Sequence, residues 1–316
     1  MTTALFTHPA CFGHDTGDYH PEGVERLRRL LAALDGEDFQ ALERREAPRA
    51  TLAQLLRAHD ADHLDFIQNN LPDGDEHIYL DPDTVVSSGS WEAALRSAGA
   101  AIAAVDAVME GHVRNAFCAT RPPGHHAESR AVLGFCLFNN AAVGALHAIA
   151  AHGAKRVAVY DLDVHHGNGT QDIFQSQPDL LYVSTHEEDS FPGTGLAEET
   201  GVAGNILNLP LPPGTGSEDW RRVVEDKVLP ALRAFKPDLL MISAGFDAHK
   251  DDPMAHLALT TEDFAWVTRA LAAVADDCCG GRLVSVLEGG YDLKSLVQAC
   301  AAHVRALMAD QGAPVG

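Results

Sequence analysis

The chain has 316 residues, 46% of them hydrophobic and 22% charged, the proportions of a globular protein with ample length to bury a core. Its charge sums to −22 with histidine neutral, a field that repels phosphate backbones and anionic lipid, so nucleic-acid and membrane-surface partners are not expected. The start MTTALFTHPA lacks a basic n-region, no apolar run is long enough to cross a bilayer, and the six cysteines form no CxxC pair. Those features argue against a signal peptide, a membrane span, cysteine-ligated zinc and a disulfide framework, and favour a reducing cytoplasm.

In chain order, the residue pattern predicts a strand over 4–8 and a helix over 23–34. The rest of the first 90 residues is irregular and rich in His, Asp and Pro, and reads as helices and loops over a sheet edge and the mouth of a site. A helix over 90–110 follows, then a strand over 116–120, a helix over 139–151, and strands over 156–163, 180–186 and 206–211. A helix over 218–235, a strand over 239–244, a helix over 261–277, a strand over 282–287 and a helix over 293–308 complete the chain. Ser90, Ser217 and Thr260 serve as start signals, and Lys236-Pro237-Asp238 ends one helix and leads into the next strand. Several strands are continuous apolar runs, as parallel strands covered on both faces should be. The alternation predicts one three-layer α/β domain spanning 1–316, with a mainly parallel sheet. Ligands in such folds sit outside the carboxyl ends of the strands.

Four of those strand ends carry unusual residues. After 116–120 comes RPPGHHAE, with His125 and His126; after 156–160 comes DLDVHHGNGTQ, with Asp161, Asp163, His165 and His166. After 239–243 comes AGFDAHKDDP, with Asp247 and His249, and 283–287 runs into EGGYD, with Tyr291. Asp163 and His165 are an i, i+2 pair whose side chains point the same way at a strand end. With Asp247 they supply two oxygens and one imidazole nitrogen, the three ligands of a catalytic zinc that keeps a fourth position open. A lone aspartate would read as a helix cap or turn residue; the three together read as a metal site. His166 and His249 read as satisfied structural histidines. A two-metal ureohydrolase site needs further carboxylates, and Gly167 and Asn168 stand where one would be expected. His125 and His126 read as proton-transfer groups, with Asp161 a partner that would raise one pKa. Tyr291 follows Gly289-Gly290 and could bring a phenol to an oxyanion; alone it would read as a partly buried aromatic.

The segments HPEGVERL, DPDTVVSSGSWEAALRSAGA, RPPGHHAE, GFCLFNNAAVGA, DLDVHHGNGTQDIF, FPGTG, SAGFDAHKDDP and LEGGYD resemble the zinc-dependent histone deacetylase family. They run from about residue 8 to 292, and RPPGHH with HHGNGTQ resembles its class II branch and the bacterial deacetylase-like and acetylpolyamine amidohydrolases. The resemblance implies the arginase–deacetylase fold, with an eight-stranded parallel sheet between helices. It implies one zinc on Asp163, His165 and Asp247, His125 paired with Asp161, His126 as principal general base and acid, and Tyr291 polarising the acyl carbonyl. It further implies Phe135 and Phe191 flanking a tunnel for an acyl-lysine stem, though core packing is the plain alternative for both. Gly134 would offer a carbonyl to the substrate amide. A structural potassium is implied at the carbonyls of Asp161, Asp163 and His165, with Ser184 and Thr185 nearby.

Two positions refine that picture. Asn168 stands where class I members have an aspartate, which removes a charge from the relay and should leave His126 less basic. Met254 stands where a polyamine-selective relative carries a glutamate, and the insertion that narrows the bacterial polyamine enzymes' mouth is missing. The expected activity is therefore removal of an acetyl or other acyl group from lysine side chains of proteins or peptides. Acetylpolyamine deacetylation remains an alternative that suits the same −22 charge. A catalytically weak acyl-lysine binding module is an alternative of another class, against which the intact Tyr291 counts. Oligomeric state is left open.

Overall fold

The computed structural model describes residues 2–309. Its strands are β1 (Thr3–Thr7), β2 (Glu43–Glu46), β3 (Ile78–Tyr79), β4 (Val85–Val86), β5 (Asn115–Cys118), β6 (Val157–Asp161), β7 (Leu180–Glu187), β8 (Ile206–Leu211), β9 (Leu239–Ala244) and β10 (Leu283–Leu287). Eight of them form one sheet in the order β2-β1-β5-β10-β9-β6-β7-β8, every pairing parallel; β3 and β4 make a small antiparallel hairpin apart from it. The helices are α1 (Val24–Leu34), α2 (Leu52–Leu55), α3 (Ala61–Asn69), α4 (Ser90–Met109), α5 (Asn140–His152), α6 (Asn168–Phe174), α7 (Ser217–Val223), α8 (Leu229–Phe235), α9 (Thr261–Cys279) and α10 (Leu293–Met308).

The β6 sequence VAVYD shows why the sheet is sandwiched. Val157 and Val159 join the core cluster that contains α4 and α5, while Ala158 and Tyr160 join the one that contains α1, α9 and α10. Alternate side chains are buried on opposite faces, so no position is left for a polar residue until the strand ends. The expected three layers and parallel sheet are therefore what the chain forms, with eight strands as the resemblance implied.

Several local readings are corrected. The eighth strand, β2, was not predicted from the residue pattern, because ERRE carries no apolar signal. It pairs on one side only, with β1, and its charges protect a sheet edge from further pairing. The β3–β4 hairpin and helices α2, α3 and α6 were also missed, being short. The helix read over 218–235 contains a π-helical turn at Val224–Val228, just before Pro230, whose ring nitrogen cannot continue the hydrogen-bond ladder. Thr260 caps α9 through a capping box with Asp263, but Ser90 and Ser217 lie inside their helices, behind Gly89 and Gly216.

The topology places the site. From β5 the chain crosses through α5 to β6, skipping two sheet positions that β9 and β10 fill later. The carboxyl ends of the adjacent strands β5, β10, β9 and β6 therefore open into one crevice, where a doubly wound sheet binds ligands.

Candidate active site

Strand β6 stops at Asp161, so Asp163 and His165 do not lie on a pleated strand as expected. Their side chains meet for a different reason. The backbone N–H of His165 donates to Asp163 Oδ1 at 2.9 Å, an Asx-type turn that folds the two side chains together. His165 Nδ1 then lies 3.1 Å from Asp163 Oδ1 and 3.3 Å from Asp247 Oδ2. Asp247 arrives from the end of β9, its other oxygen accepting the Val164 N–H at 3.0 Å.

This donor set fits a small divalent ion. One donor atom from each of the three residues falls within 4.8 Å of the others, and all three side chains are buried. Asp247 Oδ2 is buried with no hydrogen-bond partner among the described residues. A Cβ at Gly245 or at Gly289 would collide with these carboxylates, so both glycines leave room at the centre. Burial and the charge of Asp163 push the Asp247 pKa up, the cost of crowding two buried carboxylates that a cation would relieve. Burial opposes a charged His165, yet the two carboxylates outweigh it and hold its pKa up to about 10. The bound ion would take that proton's place.

A second His/Asp cluster among the described residues, Asp106 with His147 and His152, is arranged differently. Both Nε2 atoms donate to the same Asp106 oxygen, at 2.6 and 2.7 Å, and Arg57 donates to His147 Nδ1 at 2.8 Å. With Nδ1 accepting, His147 carries its proton on Nε2 and has no lone pair there to give a metal. The cluster is a hydrogen-bonded clamp between α4 and α5.

The two adjacent histidines are driven to opposite charge states. His125 Nδ1 donates to Asp161 Oδ2 at 3.0 Å, and its Nε2 lies 3.8 Å from Asp163. Burial works against a charged ring, but Asp163 and Asp161 prevail and raise its pKa well above the ordinary value. His126 is buried too, and the positive His125 and His165 add to that burial, so its pKa falls well below the ordinary value. Asn168 fixes the tautomer. Its Nδ2 donates to Glu128 Oε1 at 2.8 Å, which turns its Oδ1 toward His126 Nδ1, also at 2.8 Å. That nitrogen must carry the proton, and Nε2 is left as the basic atom. Neighbouring groups with pKa values pushed apart are the pattern of a divided acid–base task.

His126, His165 and Tyr291 line a cavity of about 170 Å³ together with Asp83, Gly134, Phe135, Phe191 and Met254. Gly134 and Phe135 both have positive φ, 55° and 69°. This left-handed pair reverses the loop and sets the Phe135 ring edge-on to Tyr291, 5.8 Å between centroids. Phe191 stands edge-on to His126 at 5.0 Å from the other wall and is 39% exposed, so neither phenylalanine is simple core packing. Burial raises the Tyr291 pKa well above the phenol range, and the nearby Asp247 and Asp163 add to that against the opposing Arg26, so the hydroxyl keeps its proton. His166 and His249 stand outside this set, bonded to Thr194 with Gln171 and to Thr261 respectively. Around the expected potassium position, Ser184 sits opposite Asp161 in register, but its hydroxyl bonds His186. His186 Nε2 donates to the Gly195 carbonyl, so Ser184 is the donor to Nδ1 and keeps its oxygen lone pairs, whereas the Thr185 hydroxyl is taken by Tyr160 and Trp220. The Ser184 oxygen and backbone carbonyls are the groups open to an ion.

Sequence reasoning missed residues that brace the site. Asp252 accepts the N–H groups of Tyr291 and Asp292 on one oxygen and that of Met254 on the other. Glu22, fully buried, binds Arg26 and Arg121, and Arg26 lies 4.9 Å above the Tyr291 ring while donating to the carbonyls of Glu288 and Gly290. Asp83 lines both the cavity and a groove of about 510 Å³ outside it. Each lies within a segment already singled out. No local signal separates them from charged neighbours in the same segments, such as Glu25, Asp81 and Asp251.

Comparison with known proteins identifies the family. Residues 20–307 match the family model described as the histone deacetylase domain. A histone deacetylase-like amidohydrolase of Pseudomonas aeruginosa is 40% identical over 311 residues, covering 92% of this chain and 81% of the relative. A probable deacetylase of Archaeoglobus fulgidus is 39% identical over 300 residues, covering 93% and 82%. The solved structure of the HDA15 HD domain superposes with a TM-score of 0.90 at 36% identity, covering 98% of this chain and 89% of that one. With this match along nearly its whole length, the chain belongs to the histone deacetylase family of hydrolases.

Proposed function

We propose that the protein is a zinc-dependent amidohydrolase, one catalytic domain, that removes an acetyl or related acyl group from lysine side chains. The observation that carries this reading is that the cluster of Asp163, His165 and Asp247 reaches, through His165, the same narrow cavity that a neutral His126 and a protonated Tyr291 line. A zinc ion on that trio would polarise the amide carbonyl and acidify a water beside it. His126 Nε2 accepts the proton of the attacking water and passes it to the departing amine as the C–N bond breaks. Tyr291 donates its O–H to the carbonyl oxygen while that atom carries negative charge. His125, held as the cation by Asp161 and Asp163, keeps its own proton and disfavours a second charge on His126. The products are acetate and a free amine. Phe135 and Phe191 sheathe the aliphatic stem, and the carbonyl of Gly134 would accept the substrate N–H. The same reading includes a structural potassium on the carbonyls of Asp161, Asp163 and His165.

Asp83 at the rim supplies a pH dependence. Burial and the neighbouring Asp81 carboxylate push its pKa up to about 6. Above that value it is a carboxylate able to accept peptide N–H groups; below it, it is not. For an acetyl-lysine peptide, kcat/KM is expected to rise as pH climbs through about 6. Asp83→Asn should lower the plateau and abolish the rise, as read from pH profiles of both proteins. An unchanged rise in the variant would assign it elsewhere.

Acetylated polyamines are the second reading, favoured by the −22 charge. A mouse relative named polyamine deacetylase is 37% identical over 315 residues, although this chain covers only 46% of it. Met254, 36% exposed at the cavity, offers no charge to an internal ammonium. The expected outcome is a higher kcat/KM for an acetyl-lysine peptide than for acetylspermidine, and the reverse order would replace the first reading by the second. Six free cysteines suit a reducing compartment such as cytoplasm.

A further inference from the structure

A buried carboxylate that takes no part in the chemistry ties the parts of the site together. Glu288 follows β10 and is fully buried. Its Oε2 accepts the N–H of Gly124 at 2.7 Å and of His125 at 3.1 Å. From the opposite side, the N–H groups of Gly169 and Thr170 at the start of α6 donate to the His125 carbonyl, at 3.0 and 3.2 Å. The turn that presents both histidines is therefore clamped between Glu288 and α6.

The backbone around Glu288 is engaged just as closely. The Gly289 N–H donates to Asp163 Oδ2 at 2.9 Å, and the carbonyls of Glu288 and Gly290 accept from Arg26. Tyr291 comes next in the chain. One short segment thus meets the histidine turn through its side chain, and a ligand carboxylate and the tyrosine through its backbone. A buried carboxylate is expensive to keep, and here its Oε1 has no hydrogen-bond partner among the described residues. An apolar side chain would avoid that cost but leave two buried N–H donors unmet.

We propose that Glu288 is a positioning residue, whose carboxylate sets the histidine turn at a fixed distance from Tyr291 and the Asp163 carboxylate. It lies outside the cavity lining and acts through the groups it holds. Its kinetic consequence rests on the deacylase reading above; its structural consequence does not. Glutamine keeps a side-chain carbonyl of the same reach, so it should preserve the clamp, whereas alanine removes it.

The test compares the wild-type protein with Glu288→Ala and Glu288→Gln, each loaded with zinc and checked for metal content. Three quantities are read: kcat and KM on an acetyl-lysine peptide, and hydrogen exchange at the Gly124 and His125 amides. The alanine variant should lose kcat by on the order of 10²-fold with KM little changed, since misplacement of about 1 Å has that effect. Its Gly124 and His125 amides should exchange faster, and glutamine should restore both rate and protection. Wild-type kcat in the alanine variant would overturn the assignment. So would a glutamine variant as slow as alanine, which would make the charge, not the acceptor, the requirement. If the wild-type protein turns over no acyl substrate, the deacylase reading fails by itself, and amide exchange still decides whether the clamp exists.

Discussion

His126→Ala is expected to lose about 10²–10⁴-fold in kcat on an acetyl-lysine peptide, the usual contribution of a positioned general base. His166→Ala, by contrast, should stay near the wild-type rate. Both residues are buried histidines that directly follow another histidine in the chain, so sequence position does not separate them. Their surroundings do. His126 lines the cavity, and Asn168 leaves its Nε2 free as a base. Both ring nitrogens of His166 are committed, Nδ1 to Thr194 and Nε2 to Gln171, so its ring has no site to offer a substrate proton. Steady-state kinetics on the two purified variants at matched metal content decides the matter. Equal losses would take the base role away from His126.

The second large effect is on stability. Glu22→Ala should destabilise the fold by about 3–5 kcal/mol, the penalty for breaking a buried ion pair and stranding its partners. Here two guanidinium groups would be stranded. Arg121 donates to both carboxylate oxygens of Glu22, at 2.7 and 2.6 Å, and Arg26 donates at 2.8 Å, with all three side chains buried. Burial would raise the Glu22 pKa, but Arg121 and Arg26 overcome it and set it below the ordinary value. The group therefore holds its proton less tightly folded than unfolded. Its stabilisation is complete above the ordinary glutamate pKa and fades as acid protonates the folded carboxylate. Urea unfolding of wild type and variant gives the difference, and a change below about 1 kcal/mol, the scale of an exposed pair, would contradict the account. Activity should fall as well, because Arg26 carries the carbonyl of Gly290 and the ring of Tyr291.

What the sequence disclosed follows from what leaves a local mark. Continuous apolar strands and long amphipathic helices do, and β6 to β10 with α4, α5, α9 and α10 emerge close to their predicted limits. Residues of unusual chemistry at strand ends do too, which is why Asp163, His165, Asp247, His126 and Tyr291 are legible in the chain itself. Edge strand β2 leaves none, since its place depends on pairing with β1 and its residues are charged. The bracing groups were hidden for a related reason. Glu22 and Arg121 are 99 positions apart, and Glu288 meets Gly124 across 164, so only the folded sheet reveals them as partners. The Asp163–His165 pairing has a different cause from the one the residue pattern predicts. A pleated strand was expected, and an Asx-type turn performs the task.

Charge also acquires a more definite meaning. A net −22 disfavours phosphate partners on general grounds, and with the proposed acyl-lysine activity it would steer basic peptides toward the cavity, an effect that salt should weaken.

The central claim is that Asp163, His165 and Asp247 hold a metal on which acyl hydrolysis depends. Its most direct test is acetate release from an acetyl-lysine peptide, measured on the same sample before chelation, after complete demetallation and after zinc is returned. Turnover should vanish with the metal and return with it. Undiminished turnover by the fully demetallated protein would contradict the claim.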